Sequence, residues 1–279
     1  MLIDGLPSEQ LPATDRGLAY GDGLFETIRI HRGRPLFLEQ HLQRLALGCA
    51  RLGIATNLPQ WQHWLELALQ QDHVIKSGQE HARAGVLKLI ITRGSGGRGY
   101  RLPEPTQPRC LISLHALPQS SLHDSREGIK AFVCEQRLAH QPTLAGIKHL
   151  NRLEQVLASR EFPDASWHEG LMRDYADNLV EGTRCNLFVA RKGRLLTPDL
   201  TYCGIAGILR AQLLDLFGSR VEVGTVPSTS LLDTDEIFVC NSVLGIWPVR
   251  HLRYAGKERL LEVGPWAREA LSWFDGVLA

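Results

Sequence analysis

Between positions 118 and 128 the chain reads PQSSLHDSREG, a polar, turn-rich stretch with apolar, strand-like runs on either side. Such a stretch gives a core nothing to bury, so the sequence divides there. The division predicts a smaller domain over 1–117, a linker over 118–128 and a larger domain over 129–279. At 279 residues the chain is long enough for each part to enclose its own core.

In the first part, GLFETIRI (23–30) and RPLFL (34–38) read as two strands around the turn HRG. The stretch LEQHLQRLALGCARLGI then places Leu38, Leu42, Leu45, Cys49 and Leu52 on one helical face, and a second helix is expected over 59–71. Strands over 85–93 and 109–117 flank a glycine-rich loop, GSGGRGY. In the second part, β patterns fall at 129–135, 169–174, 186–193, 221–226 and 236–241. Helices are expected at 207–218 and 265–274. A further amphipathic helix is expected in LAGIKHLNRLEQVL, where Leu150, Leu153 and Leu157 repeat at helical spacing directly after Lys148. Strands and helices mixed in two blocks predict an α+β architecture.

Charge narrows the partners. With 31 basic and 30 acidic residues the chain has no electrostatic footprint for nucleic acid or an anionic membrane, and a small molecule suits it better. The six cysteines (49, 110, 134, 185, 203, 240) form no C-x-x-C pair, and several lie in apolar runs. They read as buried thiols in a reducing compartment, without a disulfide framework or a metal site. The opening MLIDGLPSEQ lacks a basic and an apolar leader region, and about 18 consecutive apolar residues occur nowhere. A cytoplasmic location is expected.

Four features supply chemistry. CGIAGILRAQ (203–212) leads glycines straight into a helix start, where unpaired N–H groups and the helix dipole favour an anion. An ordinary glycine-started helix has the same pattern. Arg44 lies beside its helix's apolar stripe and can offer a forked guanidinium to an oxyanion, or simply sit in water. Glu181, in NLVEGTRCNLF, stands where a strand starts, as a functional carboxylate or a turn acid. RGSGGRGY (93–100) carries two arginines and a tyrosine on a flexible backbone, as a carboxylate-holding loop or a plain connection. Without a G-K-[ST] ending it is not a P-loop. Lys148 adds an amine. An amine, an anion cradle, an acid and a carboxylate clamp together suit pyridoxal 5′-phosphate, which needs a lysine, phosphate binders and an acidic partner for its ring nitrogen.

DRGLAYGDGLFETIRI, EQHLQRL, VEGTRCNLF, GIAGILR and CNSVLGIWPV, in this order along nearly the whole chain, resemble the fold-type IV pyridoxal-phosphate enzymes. That group holds branched-chain aminotransferases, D-amino acid aminotransferases and aminodeoxychorismate lyases. GVLKLIITRGSGGRGY and LAGIKHLNRLEQVL look like the lyases in particular.

The resemblance implies that Lys148 holds the cofactor covalently and then acts as acid and base. It implies phosphate binding by Arg44, the backbone N–H groups of Ile208 and Leu209 and the Ser242 hydroxyl, with Glu181 on the pyridine nitrogen and Asn151 also at the cofactor. Arg98 and Tyr100 match positions used for substrate carboxylates, and Arg29 lies on a strand near them. His149 is expected to be structural, because neighbours along a helix point apart. The implied reaction converts 4-amino-4-deoxychorismate to 4-aminobenzoate and pyruvate, in a homodimer. One departure stands out: related aminotransferases place a tyrosine after the asparagine downstream of the lysine, where this chain has Asn151-Arg152. An aminotransferase on the same scaffold is the first alternative. A cofactor-binding protein without turnover is the second.

Overall fold

The computed structural model describes residues 1–71, 84–118 and 126–279. Residues 119–125 of the expected linker lie outside the described residues. The chain forms two compact units, one of Met1–Leu117 with Ile147–Asn151, the other of Pro118–Gly146 with Arg152–Ala279. The lysine segment, expected with the later residues, therefore falls with the first unit.

The first unit contains β1 (Leu2–Ile3), β2 (Leu6–Pro7), α1 (Arg16–Tyr20), β3 (Gly23–His31), β4 (Arg34–Pro35), α2 (Leu38–Leu52), α3 (Leu58–Gln71), β5 (Gly85–Thr92) and β6 (Arg109–His115). Its sheet runs β2-β1-β6-β5-β3-β4, antiparallel throughout. The strand expected over 34–38 is cut to two residues, because Phe37 turns left-handed (φ 54°) and the next residue opens α2. Period-2 alternation along β3 puts Leu24, Glu26, Ile28 and Ile30 on one face, all buried. Leu42, Leu45 and Cys49 of α2 are buried as well, and each such aliphatic side chain is worth about 1.5–3 kcal/mol. Helix and sheet approach closely at Gly48, where a Cβ would come within 2.8 Å of Leu24.

The second unit contains β7 (Ile129–Leu138), α4 (Leu153–Ser159), β8 (Glu169–Asp174), β9 (Asn178–Gly182), β10 (Asn186–Arg191), β11 (Arg194–Pro198), α5 (Ile208–Phe217), β12 (Val221–Gly224), β13 (Val226–Pro227), β14 (Glu236–Asn241), β15 (Gly245–Tyr254), β16 (Lys257–Leu260) and α6 (Pro265–Leu278). The sheet order is β12-β11-β10-β14-β15-β7-β8-β9-β13, with β16 on β15. Parallel pairs (β11 with β12, β15 with β7, β7 with β8) sit among antiparallel ones, and β10 and β14, buried along almost their whole length, carry the apolar runs LFVA and IFVC. Leu187, Val189, Ile237, Val239 and Trp247 anchor the main core.

Two sequence expectations change here. Helix α4 begins only at Leu153, so Leu150 lies outside it, and Leu153 and Leu157 are exposed rather than core. The buried residues of this two-turn helix are Gln155 and Ala158. Glu181 lies inside β9, opposite Met172, and not where the strand starts. All six cysteines are free and buried. Among the described residues no helix is long and apolar enough to cross a membrane, and no group of His, Cys, Asp and Glu could hold a metal ion.

Candidate functional site

The lysine segment joins the first unit through an isolated antiparallel bridge to β3. Phe25 donates its N–H to the Lys148 carbonyl at 2.9 Å, Leu150 donates to the Gly23 carbonyl at 3.0 Å, and Leu24 and His149 pair antiparallel. Only glycine fits at position 23, where a Cβ would lie 2.3 Å from the Ile91 carbonyl and 2.9 Å from Leu150. Asn151 Nδ2 donates to the Gly21 carbonyl at 3.1 Å, so this side chain anchors the segment's far end. His149 serves the same backbone pairing. With the backbone fixed, Lys148 Nζ rests 4.3 Å from the centre of the Phe25 ring, a cation–π arrangement. Lys88, cross-strand from Thr27, points its ammonium at that ring from 5.9 Å, and Arg29 follows on the same face of β3, 3% exposed.

Behind that face is an ionic cluster. Glu26 occupies a core position of β3 and is 1% exposed. Arg44 reaches it with two guanidinium donors, Nε to Oε1 at 2.8 Å and Nη2 to Oε2 at 2.5 Å, and the His41 Nδ1 lies 2.6 Å from Oε2. His41 and Arg44 are three apart on α2 and so share a face. Burial raises the Glu26 pKa, but Arg44 and the His41 ring N–H outweigh it and bring the carboxyl down to about 2. Burial lowers the pKa of His41, against the pull of Glu26, and the charges of Arg44 and Lys148 push the same way as burial. The ring is therefore neutral at neutral pH with its proton on Nδ1, since an ionised Glu26 can only accept. Its buried Nε2 finds no hydrogen-bond partner among the described residues. Arg44 is thus held by a buried carboxylate through two guanidinium donors.

The second unit gathers the acid and the helix start. Glu181 Oε2 accepts the Ile205 N–H at 2.8 Å, and Oε1 accepts from Gln155 Nε2 at 3.3 Å. Arg152, at the cap of α4, is largely buried and feels the Glu181 charge. Gly204 lets the loop pass this acid: its φ is 86°, and a Cβ would lie 3.3 Å from Oε2. Asn186 then fixes the other side of Ile205 by donating to its carbonyl at 2.8 Å. Gly207 caps α5 without a side-chain bond, and a Cβ there would lie 1.9 Å from Asn186 Oδ1. Ile208 and Leu209 open the helix just beyond, where first-turn N–H groups have no acceptor within the helix. Gly146, two residues before Lys148, is bonded to Gly204 and Ala206 of the same loop at 2.9 and 3.1 Å. Ser242 sits in the turn between β14 and β15, whose backbone is shaped by Asn241 accepting from Val243 at 2.9 Å and Leu244 at 2.7 Å.

Of the expected substrate groups, Arg98 and Tyr100 stand exposed on the loop between β5 and β6, Tyr100 at 85%. Within the first unit, Arg29 lies on β3, Lys148 rests against the Phe25 ring of that strand, and Arg44 pairs with Glu26 on its opposite face. Within the second, Glu181 is bonded to the loop that leads into Ile208 and Leu209. Sequence reading missed Glu26, His41, Lys88, Gln155 and the backbone of Ile205. An acid in an apolar strand register and a histidine three residues before Arg44 were the available signals for the first two.

These features define a class. Residues 23–252 match the model of amino-transferase class IV, and the chain belongs to that family. It is similar to the crystal structure of 4-amino-4-deoxychorismate lyase from Pseudomonas aeruginosa, with 42% identity and a TM-score of 0.89 over 99% of this chain and 98% of that one. It is also 36% identical to the aminodeoxychorismate lyase of Vibrio harveyi, over 88% of this chain and 89% of that protein. The D-alanine aminotransferase of Bacillus licheniformis is 29% identical over 84% of this chain and 80% of its own length.

Proposed function

We propose that this protein is a pyridoxal 5′-phosphate enzyme that converts 4-amino-4-deoxychorismate to 4-aminobenzoate and pyruvate. The observation that carries the cofactor reading is the Glu181–Ile205 hydrogen bond, which couples an acid to a helix start that no side chain caps by a hydrogen bond. The residues fit the cofactor. No side chain caps the first turn of α5, so the N–H groups of Ile208 and Leu209 would be donors to a phosphate together with the Ser242 hydroxyl, and Arg44 would supply charge. Glu181 would hold a proton on the pyridine nitrogen, with Gln155 and Ile205 fixing its two oxygens. Asn151 keeps the lysine segment in place. Arg152, standing where related aminotransferases have tyrosine, is the candidate for the phenolic oxygen.

The bound cofactor supplies a conjugated ring that takes up the electron pair left when the amine-bearing carbon loses its proton. Lys148 would hold the cofactor through its amine, and the same amine would serve as the base that takes the proton from the amine-bearing carbon. Loss of the enolpyruvyl group makes the six-membered ring aromatic, and Lys148 returns a proton to the departing enol as it becomes pyruvate. Arg29, Arg98 and Tyr100 would meet the substrate's carboxylates. The functional form is a cytoplasmic homodimer.

The lyases resemble this chain more closely than the aminotransferase does, which favours elimination over amino transfer. The test is an assay with 4-amino-4-deoxychorismate that scores both products. Equal amounts of 4-aminobenzoate and pyruvate are expected, and Lys148→Ala removes both along with borohydride-trappable visible absorbance. Amino transfer to a 2-oxo acid without 4-aminobenzoate would decide for an aminotransferase.

A further inference from the structure

The loop RGSGGRGY is built from left-handed glycines, Gly94, Gly96, Gly97 and Gly99 all having positive φ, and so has little conformational preference of its own. Its shape comes from α1. At its base, Arg16 donates its backbone N–H to the Gly94 carbonyl at 2.9 Å, Arg93 donates to the Asp22 carbonyl at 3.0 Å, and Asp15 and Ser95 form an isolated bridge. At its far end one guanidinium, that of Arg16, donates to three successive carbonyls: Gly99 at 3.2 Å, Tyr100 at 3.4 Å and Arg101 at 3.5 Å. Each contact is long and weak singly, but a planar fork satisfies all three only when the strip lies in one arrangement.

Arg16 is itself fixed. It is 3% exposed, and its Nε donates to Asp22 Oδ2 at 2.9 Å. Arg93 grips the same carboxylate from the other side with bonds of 2.8 and 3.0 Å, and reaches the Leu52 and Gly53 carbonyls at the end of α2, both at 2.8 Å. Its position therefore derives from the rigid part of the unit. The Tyr20 ring packs on Arg16 (4.8 Å) and on the Tyr100 ring (5.5 Å between centroids), so side chains repeat the backbone latch.

We propose that Arg16 is a positioning residue for substrate recognition, latching Gly99–Arg101 so that Arg98 and Tyr100 are presented to the substrate's carboxylates in one geometry. This rests on the reading that those two residues meet the substrate. It assigns part of the enzyme's substrate selection to α1.

The test compares Arg16→Gln, Arg16→Lys, Arg98→Ala and the double variant R16Q/R98A, each loaded with pyridoxal 5′-phosphate. Trypsin under native conditions, with the cut after Arg98 located by mass, reads the latch without reference to turnover. R16Q is expected to be cut at least fivefold faster than wild type, to raise KM for 4-amino-4-deoxychorismate about tenfold and to change kcat less than threefold. Arg16→Lys keeps the Asp22 pair but not the fork, and falls between. On the R98A background R16Q raises KM further by less than its full tenfold, through Tyr100 alone. Should R16Q fail to fold, Tyr20→Leu probes the same coupling from the surface, with a KM rise of two- to threefold. Wild-type KM in R16Q, an unchanged cutting rate, or an additive effect in the double variant overturns the proposal. A wild-type protein that forms no 4-aminobenzoate sinks the lyase reading instead.

Discussion

Phe25 holds Lys148 twice, once by donating its backbone N–H to the lysine carbonyl at 2.9 Å and once by placing its ring 4.3 Å from Nζ. The first contact belongs to any residue at position 25, but the second belongs to the aromatic ring. A cation–π contact of this kind is worth about 0.5–1 kcal/mol. Phe25→Leu is therefore expected to slow turnover about two- to fivefold while leaving the fold intact. Steady-state kcat alongside circular dichroism checks this, and an unchanged kcat would reduce the ring to packing.

The cluster of Glu26, Arg44 and His41 predicts an acid-side signature. Glu26 has its folded pKa brought from 4.5 to about 2, so it binds its proton more weakly folded than unfolded. Its stabilisation is complete above about pH 4.5 and is lost as pH falls through 2, a difference on the order of 3 kcal/mol. Glu26→Gln should lower stability at pH 7 by a comparable amount and flatten its dependence on pH between 5 and 2. Urea unfolding at a series of pH values measures both, and an unaltered acid limb would contradict the assignment.

Gly207 is required by Asn186, not by the helix that it caps. Gly207→Ala drives a Cβ into Asn186 Oδ1 and should break the amide's bond to the Ile205 carbonyl. Cofactor affinity is expected to fall tenfold or more, with a stability cost of about 1–3 kcal/mol. Titration of the apoprotein with pyridoxal 5′-phosphate, followed by visible absorbance, reads the first quantity. Wild-type affinity would mean that the loop can absorb a methyl group.

Glu236 docks the final helix by accepting the Ala267 N–H at 2.5 Å and the Trp266 N–H at 3.3 Å. Burial dominates and raises its pKa, despite the backbone donors that pull it down. A raised acid binds its proton more tightly in the folded state, so its contribution weakens as pH rises from the unfolded to the folded pKa. Glu236→Ala should cost about 1–2 kcal/mol through the lost cap, whereas Glu236→Gln, which keeps an acceptor, should cost less at pH 7 than at pH 4. Thermal unfolding of both variants at the two pH values checks the order.

The two-unit α+β architecture was legible because strand patterns and turn chemistry agree along most of the chain, as in the alternation of β3 and the apolar run of β14. The helix after Lys148 was misjudged for a specific reason. Leu150, Leu153 and Leu157 repeat at helical spacing, but the inward face of α4 is set by Gln155 reaching Glu181, a long-range bond that local hydrophobicity does not encode. The same limit applies to Glu26. An acid in a strand is unremarkable until His41 and Arg44 are brought to it across fifteen and eighteen positions. The Ile205 N–H, the donor that ties Glu181 to the loop leading into α5, has no signature in residue type at all. The family resemblance names the candidate groups, whereas the long-range hydrogen bonds that hold them depend on the fold.

The six buried cysteines, with thiol pKa values pushed up by burial (Cys49, Cys134, Cys203 and Cys240 to about 12), make the native chain a poor target for alkylation. Because Cys49 and Cys110 lie in one unit and Cys134, Cys185, Cys203 and Cys240 in the other, each half carries its own silent reporter. Pulse labelling with a maleimide, resolved peptide by peptide, would time the opening of either half on its own clock, with no engineered probe.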